Sequence, residues 1–131
     1  MRFPSKAMPT TQDGPVPEVN DETFVAAVLE AGLPVLVDFK AQWCGPCKFM
    51  GPIFAQLAPE YASRLKFVKV DVDASPAVAN ALHIQSIPTF ALFNGRKMVA
   101  TGVGAMPAAD LRRWIEAALA RVPVPASGSP V

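Results

Sequence analysis

The chain has 131 residues, 51% of them hydrophobic and 18% charged, with 12 basic side chains against 11 acidic ones. That length fits one domain, the apolar fraction excludes global disorder, and a net charge of +1 gives no basic face for nucleic acid. No run approaches the roughly 18 to 20 apolar residues that span a bilayer, so a soluble domain with no membrane partner is expected.

Pro4, Pro9, Pro15, Pro123, Pro125 and Pro130, with Ser5, Ser127, Gly128 and Ser129, mark residues 1–15 and 123–131 as flexible tails around a domain at 16–122. Arg2 and Lys6 precede no apolar stretch of the kind an export signal needs, so cytoplasmic residence is the default expectation. Asn20 is placed to cap a helix over 21–31, with Val19 and Phe24 as its hydrophobic staple and Gly32 at its end. Phe24, Val25, Val28 and Leu29 form the apolar stripe of that helix.

Pro34 opens a buried strand over Val35–Phe39. A helix is expected from about Cys44 to Ala62, kinked at Pro52 by the missing backbone donor. A second strand follows over Lys66–Val72, then a short helix from Pro76 to His83. Thr89–Phe93 reads as a strand, Asn94-Gly95 as a hairpin turn, and Lys97–Thr101 as the returning strand. The last helix spans 107–121, with Leu111, Trp114, Ile115 and Leu119 on its packing face. This order predicts an α/β fold, a mixed sheet with a parallel centre and an antiparallel edge hairpin, flanked by helices on both faces.

Both cysteines lie in Cys44-Gly45-Pro46-Cys47, too close together to staple distant segments. Zinc requires four ligands, and besides this pair the chain has one histidine, His83, and no other cysteine, so no metal site is expected. His83 is read as a helix C-terminal cap with no catalytic role. A helix beginning at Cys44 places free N–H groups and a positive dipole end beside its sulfur, which favours the thiolate, the attacking species in disulfide exchange. Gly45 permits close backbone approach and Pro46 suits the first helical turn. Cys47 falls one turn inward. The expectation is an exposed nucleophile with a recessed resolving thiol.

The segments Val37-Asp38-Phe39, Ala41-Gln42-Trp43-Cys44-Gly45-Pro46-Cys47-Lys48 with Pro52, Val68-Lys69-Val70-Asp71-Val72-Asp73, Ile87-Pro88-Thr89, Phe93-Asn94-Gly95 and Val103-Gly104-Ala105 together resemble the thioredoxin family. The resemblance runs from near Val16 to Arg121 and implies the thioredoxin fold. It also implies roles. Cys44 would attack a protein disulfide and Cys47 would resolve the mixed disulfide. Asp38 matches a buried acid, its pKa raised by burial, that accepts the Cys47 proton through a water. Lys69 matches the lysine beside that acid and would oppose the shift. Pro88 matches a cis-proline facing the cysteines, and Trp43, Gly45, Pro46, Ile87, Pro88, Val103, Gly104 and Ala105 would form the surface that docks substrate. The same resemblance implies a protein-disulfide reductase that needs no bound cofactor, is monomeric, and draws electrons from NADPH through a flavoprotein thioredoxin reductase.

One position departs from the family. Phe39-Lys40-Ala41 carries lysine where a second tryptophan is usual. Lys40 either pairs with Asp73 or lowers a cysteine pKa by its charge. Two other readings stand beside the reductase: an oxidase or isomerase of the same fold, and a non-enzymatic binding module or chaperone using the apolar surface around Trp43 and Ile87.

Overall fold

The computed structural model describes residues 16–123; the tails expected at 1–15 and 123–131 lie outside it, Pro123 excepted. The strands are β1 (Glu18–Val19), β2 (Val35–Lys40), β3 (Lys66–Asp71), β4 (Thr89–Asn94) and β5 (Lys97–Val103), and the α-helices are α1 (Gly45–Leu57), α2 (Pro76–Ala81) and α3 (Ala108–Leu119). They form one sheet in the order β1-β3-β2-β4-β5. It is parallel across β1, β3 and β2, and antiparallel from β2 through β4 to β5. The mixed sheet matches the sequence expectation. β1 was not foreseen, because two residues are too short to show a period.

Alternation along the strands divides the core in two. Leu36, Phe67, Phe90 and Leu92 face α1 and α3, packing with Met50, Phe54, Leu57, Leu111 and Ile115. Val35, Val37, Phe39, Val68, Val70, Ala91 and Phe93 face the other way, onto Phe24, Val28 and Val78. Trp114 packs at the edge of the first cluster, as its position on the helical face predicts.

The first helix differs from expectation. Asn20 Oδ1 accepts from the N–H groups of Glu22 (2.9 Å) and Thr23 (3.0 Å), so the predicted cap is present. Beyond it the chain winds more widely, as a π-helical segment over Val25–Leu29, with Glu30 N–H bonded to the Val25 carbonyl. Phe24 and Val28 are buried while Val25 is 44% exposed, so Val25 is not part of the packed stripe.

α1 also ends earlier than 62. Pro59 has no N–H to continue the ladder, and the chain tightens into a 3₁₀ turn over Ala58–Tyr61. Bidentate pairs Arg112–Glu60 and Arg64–Glu116 tie that turn and its exit to α3. At the end of α2, His83 takes the left-handed conformation (φ 58°). Its N–H bonds to the Asn80 carbonyl and that of Ile84 to the Ala79 carbonyl, which is a Schellman C-cap and the role the sequence suggested.

Candidate active site

The strand β2 delivers the chain to the C-terminal edge of the sheet, where a short loop carries Trp43 and Cys44 into α1. Cys44 is the N-cap of that helix, in extended conformation (φ −89°, ψ 113°), and its Sγ accepts from the Cys47 N–H at 3.2 Å. Its carbonyl accepts the first helical bond, from Lys48 N–H. Cys44 and Cys47 are joined as a disulfide across a Cα–Cα distance of 5.2 Å. A sulfur at this position meets the free N–H end of the helix, where negative charge is favoured.

The two cysteines do not differ in exposure. Each is 4% exposed, so the expected contrast of exposed nucleophile and recessed partner is not found in the disulfide form. Ala41, Val72 and Ile87 pack around both. The difference lies in their surroundings. Cys44 Sγ caps the helix and sits 3.9 Å from the Ile87 carbonyl oxygen, at the outer edge of the site. Cys47 instead lines a cavity of about 10 Å³ together with Val16, Asp38, Lys40, Gly51, Phe54 and Lys69. That volume suits about one water.

Asp38 is 3% exposed and lies opposite Lys69 in the parallel register of β2 and β3. The structure therefore gathers Cys47, Asp38 and Lys69, from α1, β2 and β3, around one small space, with Cys44 joined to it through the disulfide. Across the disulfide, the Ile87–Pro88 peptide bond is cis, as the resemblance implied. The Pro88 carbonyl accepts from Gly104 N–H at 2.8 Å, which ties the Val103-Gly104-Ala105 segment to the proline. Gly104 holds φ 103°, a conformation that side-chain-bearing residues rarely adopt. Around this rim Trp43 is 70% and Val103 63% exposed, Gly45, Pro46 and Ala105 are exposed, Ile87 is half-buried and Pro88 buried.

Lys40 is not the partner of Asp73. Asp73 Oδ2 accepts from the Trp43 indole N–H at 2.6 Å, which fixes the exposed ring beside Cys44. Lys40 Nζ instead lies 3.9 Å from Asp71 Oδ2 and 3.7 Å from Glu18 Oε1. The register explains the change, because Asp71 is directly opposite Lys40 and Asp73 lies beyond the strand. Asp71 was missed from sequence. It is buried, its Oδ1 accepts from the N–H groups of Asp73 (2.9 Å) and Ala74 (3.1 Å), and it shapes the turn that presents Asp73. An aspartate closing an apolar strand before a turn was the available signal.

Among the described residues no group of three or more His, Cys, Asp or Glu side chains is placed to hold a metal. Nor is any helix there long and apolar enough to cross a membrane.

The Thioredoxin family model matches residues 15–117 of the chain. Thioredoxin M-type, chloroplastic, of Chlamydomonas reinhardtii is 48% identical over 98 residues, covering 75% of this chain and 70% of that protein. Thioredoxin 1 of Nostoc sp. is 43% identical over 99 residues, 76% of this chain and 92% of the relative. Thioredoxin of Haemophilus influenzae is 42% identical over 97 residues, 74% and 91% respectively.

Proposed function

The chain belongs to the thioredoxin family, and on that premise we propose how its residues divide the work of disulfide exchange. It is a thiol–disulfide oxidoreductase, a dithiol reductant of disulfides. In the reduced protein, Cys44 attacks one sulfur of a substrate disulfide as the thiolate. The substrate S–S bond breaks, a Cys44–substrate bond forms, and the departing substrate sulfur takes up a proton. Cys47 then gives its proton to Asp38 through one water and attacks Cys44 Sγ. The mixed disulfide breaks, the second substrate thiol leaves, and the Cys44–Cys47 disulfide closes. Two electrons pass from the protein's sulfurs to the substrate's, and no bound cofactor takes part.

The observation that carries this division is the contrast in surroundings of two equally buried cysteines. The helix N-cap and the Ile87 carbonyl are at Cys44, while the cavity with Asp38 is at Cys47. Burial disfavours the charged form of Asp38, which equips it to accept a proton, and Lys69, from the adjacent strand, limits that effect. Substrate lies against Trp43, Gly45, Pro46, Ile87, Pro88 and the Val103–Ala105 segment, pairing strand-like at Ile87. Its exposed apolar groups and backbone suit disulfide-containing proteins in extended conformation.

The reducing electrons come from NADPH through a thioredoxin reductase, and the protein works as a monomer in a reducing compartment, the cytoplasm. Mixing each reduced cysteine variant, freed of reductant, with a disulfide-bonded protein substrate tests the division of roles. Cys47→Ser should stall as a stable mixed disulfide through Cys44, while Cys44→Ser should form none. A mixed disulfide trapped at Cys47 as readily as at Cys44 would reverse the roles.

A further inference from the structure

Lys40 is a charged side chain at the inner edge of the redox site, and three observations place it there independently. Asp38 and Lys40 are two residues apart on β2 and therefore share the face that looks onto α1. The register sets Lys69 beside Asp38 and Asp71 beside Lys40, with Glu18 of β1 next to Lys69. Lys40 and Cys47 both line the cavity of about 10 Å³, a space so small that its walls are near neighbours. The lysine side chain is only 15% exposed, held between Asp71 and Glu18.

We propose that Lys40 sets the redox poise of the Cys44–Cys47 couple, its ammonium being anchored by Asp71 and Glu18 where it makes the disulfide easier to reduce. Reduction by a dithiol breaks the Cys44–Cys47 bond. The two electrons come from the dithiol's sulfurs, which close their own disulfide, and each protein sulfur ends as a thiol or as a thiolate. The disulfide is neutral and the thiolate is not, so a nearby cation stabilises the reduced state alone. The groups that face this ammonium are Glu18 from β1, Asp38 from β2, Lys69 and Asp71 from β3, and Cys47 from α1. Glu18 and Asp71 fix its position and offset part of its charge.

The inference rests on the site assigned above, in which Cys47 opens onto the Asp38 cavity, and it is tested apart from it. The full chain and its Lys40→Met, Lys40→Arg and Glu18→Gln variants are equilibrated with defined ratios of reduced and oxidised dithiothreitol, from about pH 5 to about pH 8.5, spanning the thiol range. At the upper end, Lys40→Met should favour the disulfide about tenfold more than wild type, which corresponds to about 30 mV. The difference should shrink below about twofold in acid, where both thiols are neutral and the charge has little to stabilise. Lys40→Arg keeps the charge and should stay within about twofold of wild type, while Glu18→Gln should move about two- to threefold in the opposite direction.

A purely structural role would give no such pH dependence and no change of sign. Potentials of Lys40→Met that overlay wild type at every pH would overturn the inference, as would an Arg variant that shifts as far as Met. If Lys40→Met does not fold, the half-exposed Glu18 carries the test, and an unmoved or lowered potential in Glu18→Gln overturns it. The relay fails separately: an Asp38→Asn protein that resolves mixed disulfides at the wild-type rate defeats the proton-acceptor role, whatever the potentials show.

Discussion

The two faces of β2 make the most instructive contrast in the molecule. Val35, Val37 and Phe39 point to one side and are each fully buried among aliphatic and aromatic neighbours. Leu36, Asp38 and Lys40 point to the other, and that face changes along its length from core residue to buried acid to anchored cation. The change coincides with the C-terminal edge of the sheet, where Cys47 comes down from α1. The same gradient runs across the sheet. Glu18, Lys69, Asp38, Phe90 and Gly102 form one row through successive strand pairs, charged at the β1 end and apolar at the β5 end. A six-residue strand thus serves stability and chemistry at once, separated by its period of two.

Substitutions on the two faces should therefore separate stability from redox behaviour. The largest loss of stability is expected on the apolar face. Phe39→Ala removes a fully buried ring and should cost about 3–5 kcal/mol, read from urea unfolding of the oxidised protein. On the other face, Asp38→Asn should leave the first exchange step intact and slow resolution of the mixed disulfide by roughly 10- to 100-fold. Stopped-flow kinetics with a disulfide substrate distinguishes the two steps. If Phe39→Ala altered the chemistry as strongly as the stability, the two faces would not be functionally separate.

A smaller effect is expected where the row reaches β5. A Cβ on Gly102 would stand 2.7 Å from Trp114 Nε1 and 2.9 Å from its Cε2, so the indole must move. Gly102→Ala should cost about 1–3 kcal/mol in thermal or urea unfolding. The Cys44–Cys47 potential should not follow.

The smallest effect belongs to the surface pairs between the 3₁₀ turn and α3. Hydrogen bonds from Arg112 hold the Glu60 carboxyl below the usual glutamate range, and those from Arg64 do the same for Glu116. With folded-state pKa values lowered, these pairs contribute fully above the ordinary glutamate pKa and less as pH falls through the folded values. A Glu60→Gln, Glu116→Gln double variant should differ slightly from wild type at neutral pH and converge with it in acid. Both sites are exposed, so added salt should reduce the neutral-pH difference as well.

What the sequence made legible was what depends on neighbours along the chain. The Cys44–Cys47 pair, its helix start, the Asn94-Gly95 turn and the strands with apolar alternation are all local patterns. The register-dependent facts were not legible. Lys40 meets Asp71 because β2 and β3 pair at that level, and no spacing rule distinguishes Asp71 from Asp73 two residues later. β1 exists only because β3 offers it an edge. The equal burial of the two cysteines was also hidden, since Ala41, Val72 and Ile87 cover them from three separate segments. The tails expected at 1–15 and 123–131 lie, Pro123 excepted, outside the described residues.

The two cysteines are equally buried in the disulfide form, so their difference in reactivity is assigned to their surroundings. The direct measurement is alkylation of the reduced protein with substoichiometric iodoacetamide near neutral pH, followed by peptide mapping. Thiolates react and thiols do not, so label should accumulate on Cys44, at the helix N-terminus, while Cys47 remains largely unmodified. Equal labelling of Cys44 and Cys47, or preference for Cys47, would contradict the account.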